Sequence, residues 1–422
     1  LDPAAAALLA VTRWASDDYD AGDGTRVEAA EDTLSALAKL SRSFGEAQRL
    51  GFSASRLVSD YHTGVTEGYP RDTDLTTDNF VLDYGLGTEA DPFSLTATLY
   101  RSASSVVQQL EDTETGAPVG AERSYDTVTD GVRAEGGGLV RTGVLDHDLA
   151  FALEMFRDEV TTDDPDAGEG SLTASGEREI GSLHLEDAIR LTGSTEAVFG
   201  LRFDSYSLSS SDGSSDGTAT SPSFTLRQKV GPALTLYATA ARAYRPPTLS
   251  ESLVNGQHPA PAVFYIRPNP DLEPESSLNR EIGATLEMSG LITGGDRLRG
   301  QVAAYRNDID DYIGLVRRGG VFYGYYQYDN IDRVRVEGLE LELSYDAERV
   351  FASVSSQQID GTDRSTNAPA SGIPPDRTTL TLGLRGPQTG REAGLRVTRA
   401  AAREDGQLST EAWQTLDLFF TI

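Results

Sequence analysis

Apolar side chains recur at every second position along most of this chain. In "EAVFGLRF", Ala197, Phe199, Leu201 and Phe203 share one face, and Val198, Gly200, Arg202 and Asp204 take the other. "REIGATLEM" sets Ile282, Ala284, Leu286 and Met288 against Glu281, Gly283, Thr285 and Glu287. The same beat runs through Leu380, Leu382 and Leu384, and again through Leu416, Leu418, Phe420 and Ile422. A period of two belongs to a β-strand with unlike faces, whereas a helix repeats at about 3.6. In "RVRVEGLELELSY" the apolar frame changes parity near Gly338, which predicts a β-bulge there.

The links between these segments alternate in length. Tight ones ("SFGEAQ", "GTEAD", "LTGST", "KVGPA", "YDAER", "GPQTG") take turns with long polar ones at 60–73, 111–124, 161–176, 211–221, 246–276 and 361–375. About eighteen strands result, and those at 93–110, 195–210 and 297–316 exceed the five or six residues usual in globular sheets. Short turns at one end and long loops at the other are the habit of a transmembrane antiparallel β-barrel, so an all-β barrel is the expected fold class. A large soluble all-β protein is the alternative. Tyr100, Tyr206, Tyr237, Tyr305 and Tyr345 are expected to form girdles at the membrane interfaces.

Composition sharpens this picture. Only alternate strand residues meet lipid in a barrel, so a hydrophobic fraction of 38% is compatible with spanning a membrane. Mean hydropathy is −0.35. No apolar run approaches the length of about 18 residues that a transmembrane helix needs. The opening "LDPAAAALLAVTRW" lacks the features of a signal peptide, and without an initiator methionine the chain is expected to be a mature or partial product.

The 66 acidic residues outnumber 36 basic ones, for a net charge of −30. That balance argues against nucleic acid as a partner, which requires basic patches. The acids gather in "TTDDPDAGEGS" and "SSSDGSSDGTATS", expected to be solvated loops. Cysteine is absent, which excludes disulfides, thiolate-held zinc and iron–sulfur clusters. No nucleophile elbow, phosphate loop or dinucleotide fingerprint is present, and nothing points to an enzyme. His62, His147 (in the turn-like "LDHDL") and His184 lack partners at metal-ligand spacing and are taken as structural.

His258 has a different setting. It lies in "AYRPPTLSESLVNGQHPAPAVFYIRPNPDL", within the longest link, where prolines at 246, 247, 259, 261, 268, 270 and 274 restrict the backbone. Loops of that length in ordered proteins are usually functional or disordered. A neutral imidazole is a good ligand for haem iron.

"YRPPTLSE", "GQH" and "NPDLEPESS" together resemble the paired boxes (Phe-Arg-Ala-Pro and Asn-Pro-Asn-Leu) of TonB-dependent haem and haemoglobin receptors. Tyr244, Arg245, Pro246 and Pro247 match the first box, with Tyr244 in place of Phe and Pro246 at the Ala position. Asn269, Pro270, Asp271 and Leu272 match the second. Downstream, "VAAYRNDIDDYIGL", "YDNIDRVRVEGLELELSY" and "SGIPPDRTTLTLGLRG" resemble strands of the same receptors. The resemblance is specific over 225–422 and architectural over 1–224, where "ALEMFRDEV" is the best local echo.

The resemblance implies an outer-membrane receptor of a Gram-negative bacterium that takes up haem with energy from the TonB–ExbB–ExbD complex. Haem, haemoglobin or a haemophore would be captured at extracellular loops, with no catalytic cofactor. It implies a barrel of roughly 22 strands. About one strand and the N-terminal plug would be missing before Leu1, and about three strands after Ile422. His258 would ligate the iron, with a second ligand from the plug. Tyr265 is a candidate phenolate ligand. Arg267 and Arg245 are candidate partners for the propionates, and Arg245 is alternatively an anchor of the loop base. Phe322, Tyr323, Tyr325, Tyr326 and Tyr328 form an aromatic stretch suited to stacking on porphyrin, or to packing within the loop. A ferric-siderophore receptor with an incidental loop histidine is the second reading, and a passive porin-like barrel the third.

Overall fold

The structure, a computed structural model, describes residues 4–63, 70–87, 91–112, 115–165, 175–211, 213–257, 264–320, 324–370, 372–388, 390–404 and 409–421. Eighteen long strands carry the fold among these residues. The first nine are β1 (Ala5–Ser16), β2 (Glu31–Phe44), β3 (Gln48–Thr63), β4 (Arg71–Leu86), β5 (Phe93–Glu111), β6 (Pro118–Thr142), β7 (Leu145–Asp163), β8 (Gly176–Arg190) and β9 (Thr195–Ser210). The others are β10 (Gly213–Val230), β11 (Leu234–Arg245), β12 (Glu275–Ser289), β13 (Arg297–Arg318), β14 (Tyr325–Asp346), β15 (Val350–Asp363), β16 (Arg377–Gly386), β17 (Arg391–Ala400) and β18 (Trp413–Thr421). Each pairs antiparallel with the next, so the sheet is one continuous up-and-down meander. Among the described residues no ladder joins β1 to β18. Among the described residues no helix is long and apolar enough to cross a membrane.

The alternation places large apolar side chains on the outside. Phe199, Leu201 and Phe203 on β9, Ile282 on β12, and Leu339, Leu341 and Leu343 on β14 are all exposed. A soluble sheet would bury this face; a barrel presents it to lipid. A cluster of buried apolar side chains sits at the long-loop end. There Tyr206, Leu208, Leu249 and Leu253 form a small core with Val160, Ile180 and Tyr244 against it.

Gly338 carries no bulge. The β13–β14 and β14–β15 ladders pass through it in constant register, and the recorded register shift lies between Gln108 and Leu110. Parity changes at Gly338 because the apolar residues change face: Leu339, Leu341 and Leu343 are exposed on the outer face, whereas Val334 is buried on the other. Tyr305 stands directly opposite Gly338, with its ring over the glycine, so that an added Cβ would lie 2.4 Å from Tyr305 Cζ. The arrangement recurs with Tyr100 over Gly131, Tyr206 over Gly217, Tyr237 over Gly283, Phe351 over Gly383 and Phe419 over Gly394. An aromatic ring covering a cross-strand glycine fills the gap left by the missing side chain and pins the register.

The girdle expectation is corrected for four of the five tyrosines; Tyr345 keeps the outward parity of Leu339, Leu341 and Leu343. Tyr100, Tyr206, Tyr237 and Tyr305 sit on the inner face over glycines, where Tyr100 donates to Glu154 (3.4 Å) and Tyr237 to Glu281 (2.7 Å). Tyr345 lies by a short turn, donating to Asp296 at 2.9 Å. Two expected long links are also largely strand. Ser210 pairs with Gly213, so most of 211–221 is hairpin, and β6 starts already at Pro118. Beyond the lipid a strand can be polar on both faces and keep its ladder, so polarity alone did not distinguish it from loop. The turn before β7 is Gly143–Val144, and His147 lies within the strand.

Candidate functional site

The link from β11 to β12 is built outward from its two ends. Pro246 and Pro247 leave β11 in an extended path, and Pro247 is fully buried. A single helical turn, α1 (Leu249–Leu253), follows. Thr248 caps it by accepting from the Glu251 N–H (3.1 Å), while the Glu251 carboxylate accepts from the Thr248 N–H (2.9 Å). This reciprocal capping box is what Thr-x-x-Glu encodes. It starts a helix too short to persist alone, and burial of Leu249 and Leu253 against Tyr206 and Leu208 holds it in place.

Arg245 ties this turn to the far end of the loop. Its Nε and Nη2 donate to the two oxygens of Glu275 (2.8 and 2.6 Å), and its Nη1 donates to both oxygens of Glu251 (2.8 and 3.0 Å). Glu275 also accepts from the Ile313 N–H at 2.8 Å. One guanidinium thus joins the end of β11, α1 and the start of β12, and through Glu275 reaches β13. Its contacts are those of an anchor for the loop base.

The second box is fastened to β14. Asn269 N–H donates to the Ser252 carbonyl (2.8 Å), and Asn269 Nδ2 donates to the Tyr328 carbonyl (2.9 Å). Pro270 approaches Gly213, where an added Cβ would meet it at 3.0 Å. Asp271 is exposed and Leu272 is buried. Asn330 both accepts from the Glu273 N–H and donates to the Glu273 and Asp311 carbonyls, each at 2.8 Å. Asp311 is itself held at φ 58°, a left-handed conformation unusual for a residue other than glycine.

Between the boxes, the short strands Gly256–Gln257 and Tyr265–Arg267 pair with each other, and the second runs parallel to β14 at Tyr326 and Gln327. Gln327 Nε2 donates to the Pro268 carbonyl at 2.8 Å. Arg267 lies over the Tyr325 ring at 4.4 Å, and the rings of Phe264 and Tyr326 are 4.7 Å apart. Tyr265 is 56% exposed. His258, Phe322 and Tyr323 lie outside the described residues. Tyr265, Arg267, Tyr325 and Tyr326 therefore share one patch of the loop, whereas Arg245 sits at its base.

Sequence reasoning passed over Glu251, Glu275, Asn330 and Phe264. Glu251 was available from its capping box. The other three depend on register between segments far apart in the chain.

The remaining histidines each stand beside one acid: His62 by Glu111 (3.5 Å), His147 by Asp187 (2.9 Å) and His184 by Glu186 (3.9 Å). Among the described residues no group of three or more His, Asp or Glu side chains is arranged to hold a metal.

A long antiparallel meander with an apolar exterior and a proline-stiffened, tethered loop defines an outer-membrane barrel of the receptor type. Residues 18–422 match the family model described as TonB dependent receptor-like, beta-barrel, and the chain belongs to that family. Members are receptors and transporters of the Gram-negative outer membrane, and this chain is a barrel of that membrane. It is 34% identical over 174 residues to the ferrienterobactin receptor of Escherichia coli K12, covering 39% of this chain and 22% of that protein. It is 27% identical over 242 residues to heme/hemopexin utilization protein C of Haemophilus influenzae, covering 53% of this chain and 34% of that one. In both cases the match spans about a third or less of the relative's length. The fold superposes on the Serratia marcescens hemophore receptor HasR, solved with its hemophore HasA and heme, with a TM-score of 0.83 at 23% identity. That match covers 98% of this chain and 70% of HasR.

Proposed function

We propose that the protein is a receptor for TonB-energised uptake of haem, with His258 as an axial ligand to the iron. The observation that carries this reading is the loop base. Both boxes are fastened, by Arg245 at one end and by Asn269 and Asn330 at the other, and His258 lies in the sequence between them. The relatives named for heme utilization and the hemophore receptor support the same cargo.

No bond in the cargo is made or broken beyond reversible ligation of iron. A neutral imidazole supplies the ligand, and rings such as Tyr325 and Tyr326 offer stacking area. Arg267 would meet a propionate and Tyr265 would offer a phenolate. TonB, with ExbB and ExbD, would supply the energy through a plug domain, and haemoglobin or a haemophore would be the donor.

Ferric-siderophore uptake is a second reading, favoured by the 34% identity to the ferrienterobactin receptor. Growth discriminates the two. A strain stripped of its other iron-uptake routes and carrying this receptor is expected to grow on haem as sole iron source, and to stop when TonB is deleted. Growth on a ferric catecholate but not on haem would replace the haem reading with the siderophore one.

A further inference from the structure

The helical turn α1 packs on the inner face of the sheet. Tyr206 and Leu208 on β9 and Ile180 on β8 touch it, and they have the parity opposite to the exposed Leu201, Phe203, Leu183 and Leu185. Four residues further down β8, about 13 Å along the strand, the same face carries His184. Its neighbours Leu183 and Leu185 are exposed on the outer wall, so the imidazole is directed into the barrel, near the middle of the strand. His62 and His147 share the parity of the exposed Val58 and Leu149 and face outward.

The surroundings of His184 leave its ring available. In His147 both ring nitrogens are engaged, by Thr142 at 2.6 Å and Asp187 at 2.9 Å. His184 has the Glu186 carboxylate 3.9 Å from Nε2, outside hydrogen-bonding distance. Directly across the ladder stands Arg202. Its Nε donates to both oxygens of Asp204 (2.8 and 3.0 Å), while among the described residues neither Nη atom has a partner. The guanidinium is thus held at its root and open at its tip. On the other flank His184 faces Ala152, and at the next level Glu186 lies between Gly200 and Ala150. A Cβ on Gly200 would lie 3.7 Å from His184 Cε1. Short neighbours on both sides leave the imidazole standing clear of the wall.

We propose that His184 is a further ligand for haem iron, met inside the barrel, with Arg202 receiving a propionate. The inference rests on the haem reading, under which cargo released beside α1 crosses this level of the wall. An imidazole binds iron along its nitrogen lone pair, so the macrocycle lies broadside to a ring that points inward. The short side chains of Ala150, Ala152 and Gly200 permit that approach. The free end of Arg202 offers a carboxylate charge-assisted, bidentate contact. Glu186 needs only a side-chain rotation to accept the Nε2 proton, which leaves Nδ1 for the metal, as carboxylates do beside metal-bound histidines. The step exchanges one neutral donor for another on ferric iron, with no change of oxidation state.

Two measurements on the full receptor test this. One is haem binding by the purified protein at the Soret band. The other is entry of iron-labelled haem into cells that carry it as their haem receptor, normalised to receptor in the outer membrane. His184→Ala is expected to bind haem within about twofold of wild type. Its uptake is expected to be at least about tenfold slower. His184→Tyr, which retains a ligand for ferric iron, should recover part of the rate, and His147→Ala should leave it unchanged. Arg202→Gln should slow uptake of haem but not of haem dimethyl ester, which has no carboxylate. Uptake by His184→Ala at the wild-type rate would overturn the proposal. So would an equal loss of binding by the purified His184→Ala protein, or recovery by His184→Leu as full as by His184→Tyr, because either would make the residue structural. Failure of wild type to take up haem at all would overturn the haem reading itself, and this inference with it.

Discussion

Gly338 and Tyr305 illustrate what one residue contributes. A glycine inside a strand ordinarily weakens it, yet here the opposite ring covers the bare backbone. Gly338→Val puts methyl groups where the ring lies and is expected to cost about 1–3 kcal/mol, as overpacking does. The cost should shrink in a Tyr305→Ala background, and urea unfolding in lipid vesicles measures both. Equal costs in the two backgrounds would mean that ring and glycine are not coupled. Alternation was legible at these positions, but the pairing was not, because Tyr305 and Gly338 meet only through the register.

Asp296, in the turn before β13, gives a pH prediction at the same scale. Burial acts to raise its pKa, but the N–H groups of Thr293, Ile292 and Leu291 (2.6–2.7 Å) and the Tyr345 hydroxyl outweigh it and hold the pKa down to about 2. A carboxyl in an unfolded chain titrates near about 3.9. The stabilisation is therefore complete above about pH 4 and lost as pH falls toward 2. Wild type is expected to lose stability across that window and Asp296→Asn to respond less, with unfolding midpoints against pH as the measurement.

At the level of elements, the link from β11 to β12 behaves as a strap fastened at both ends. Arg245→Ala leaves Glu251 and Glu275 without their shared cation, at an expected cost of about 1–3 kcal/mol. Limited proteolysis should then cut between residues 246 and 274 sooner than in wild type. Arg245→Lys should restore only part of the protection, since an ammonium cannot serve two carboxylates bidentately. Unchanged cleavage in Arg245→Ala would show that the strap is held elsewhere. Thr-x-x-Glu announced the helical turn in the sequence. The clamp on Glu275 did not show, because its partners are separated by 30 residues and meet only when β11 and β12 pair.

At the scale of the whole molecule, period-two alternation and the rhythm of short and long links sufficed for an eighteen-strand antiparallel meander. The reason is physical. Each strand spans the same apolar thickness, so the pattern repeats with the wall. Loop lengths were legible only in part, because strands such as β10 continue past the lipid, where neither face has to be apolar. Cargo identity is the least legible feature. Solved haem and siderophore receptors share this barrel fold, and the haem reading proposed above rests on a few side chains of one loop.

The most direct measurement is therefore a haem titration of the purified receptor and its His258→Ala variant, followed at the Soret band, with far-UV circular dichroism confirming that both are folded. Wild type is expected to bind with the spectrum of a histidine-ligated haem. The variant is expected to bind at least about tenfold more weakly, with a changed Soret band. Equal affinity and an identical spectrum in the variant would contradict the assignment of His258 as an iron ligand.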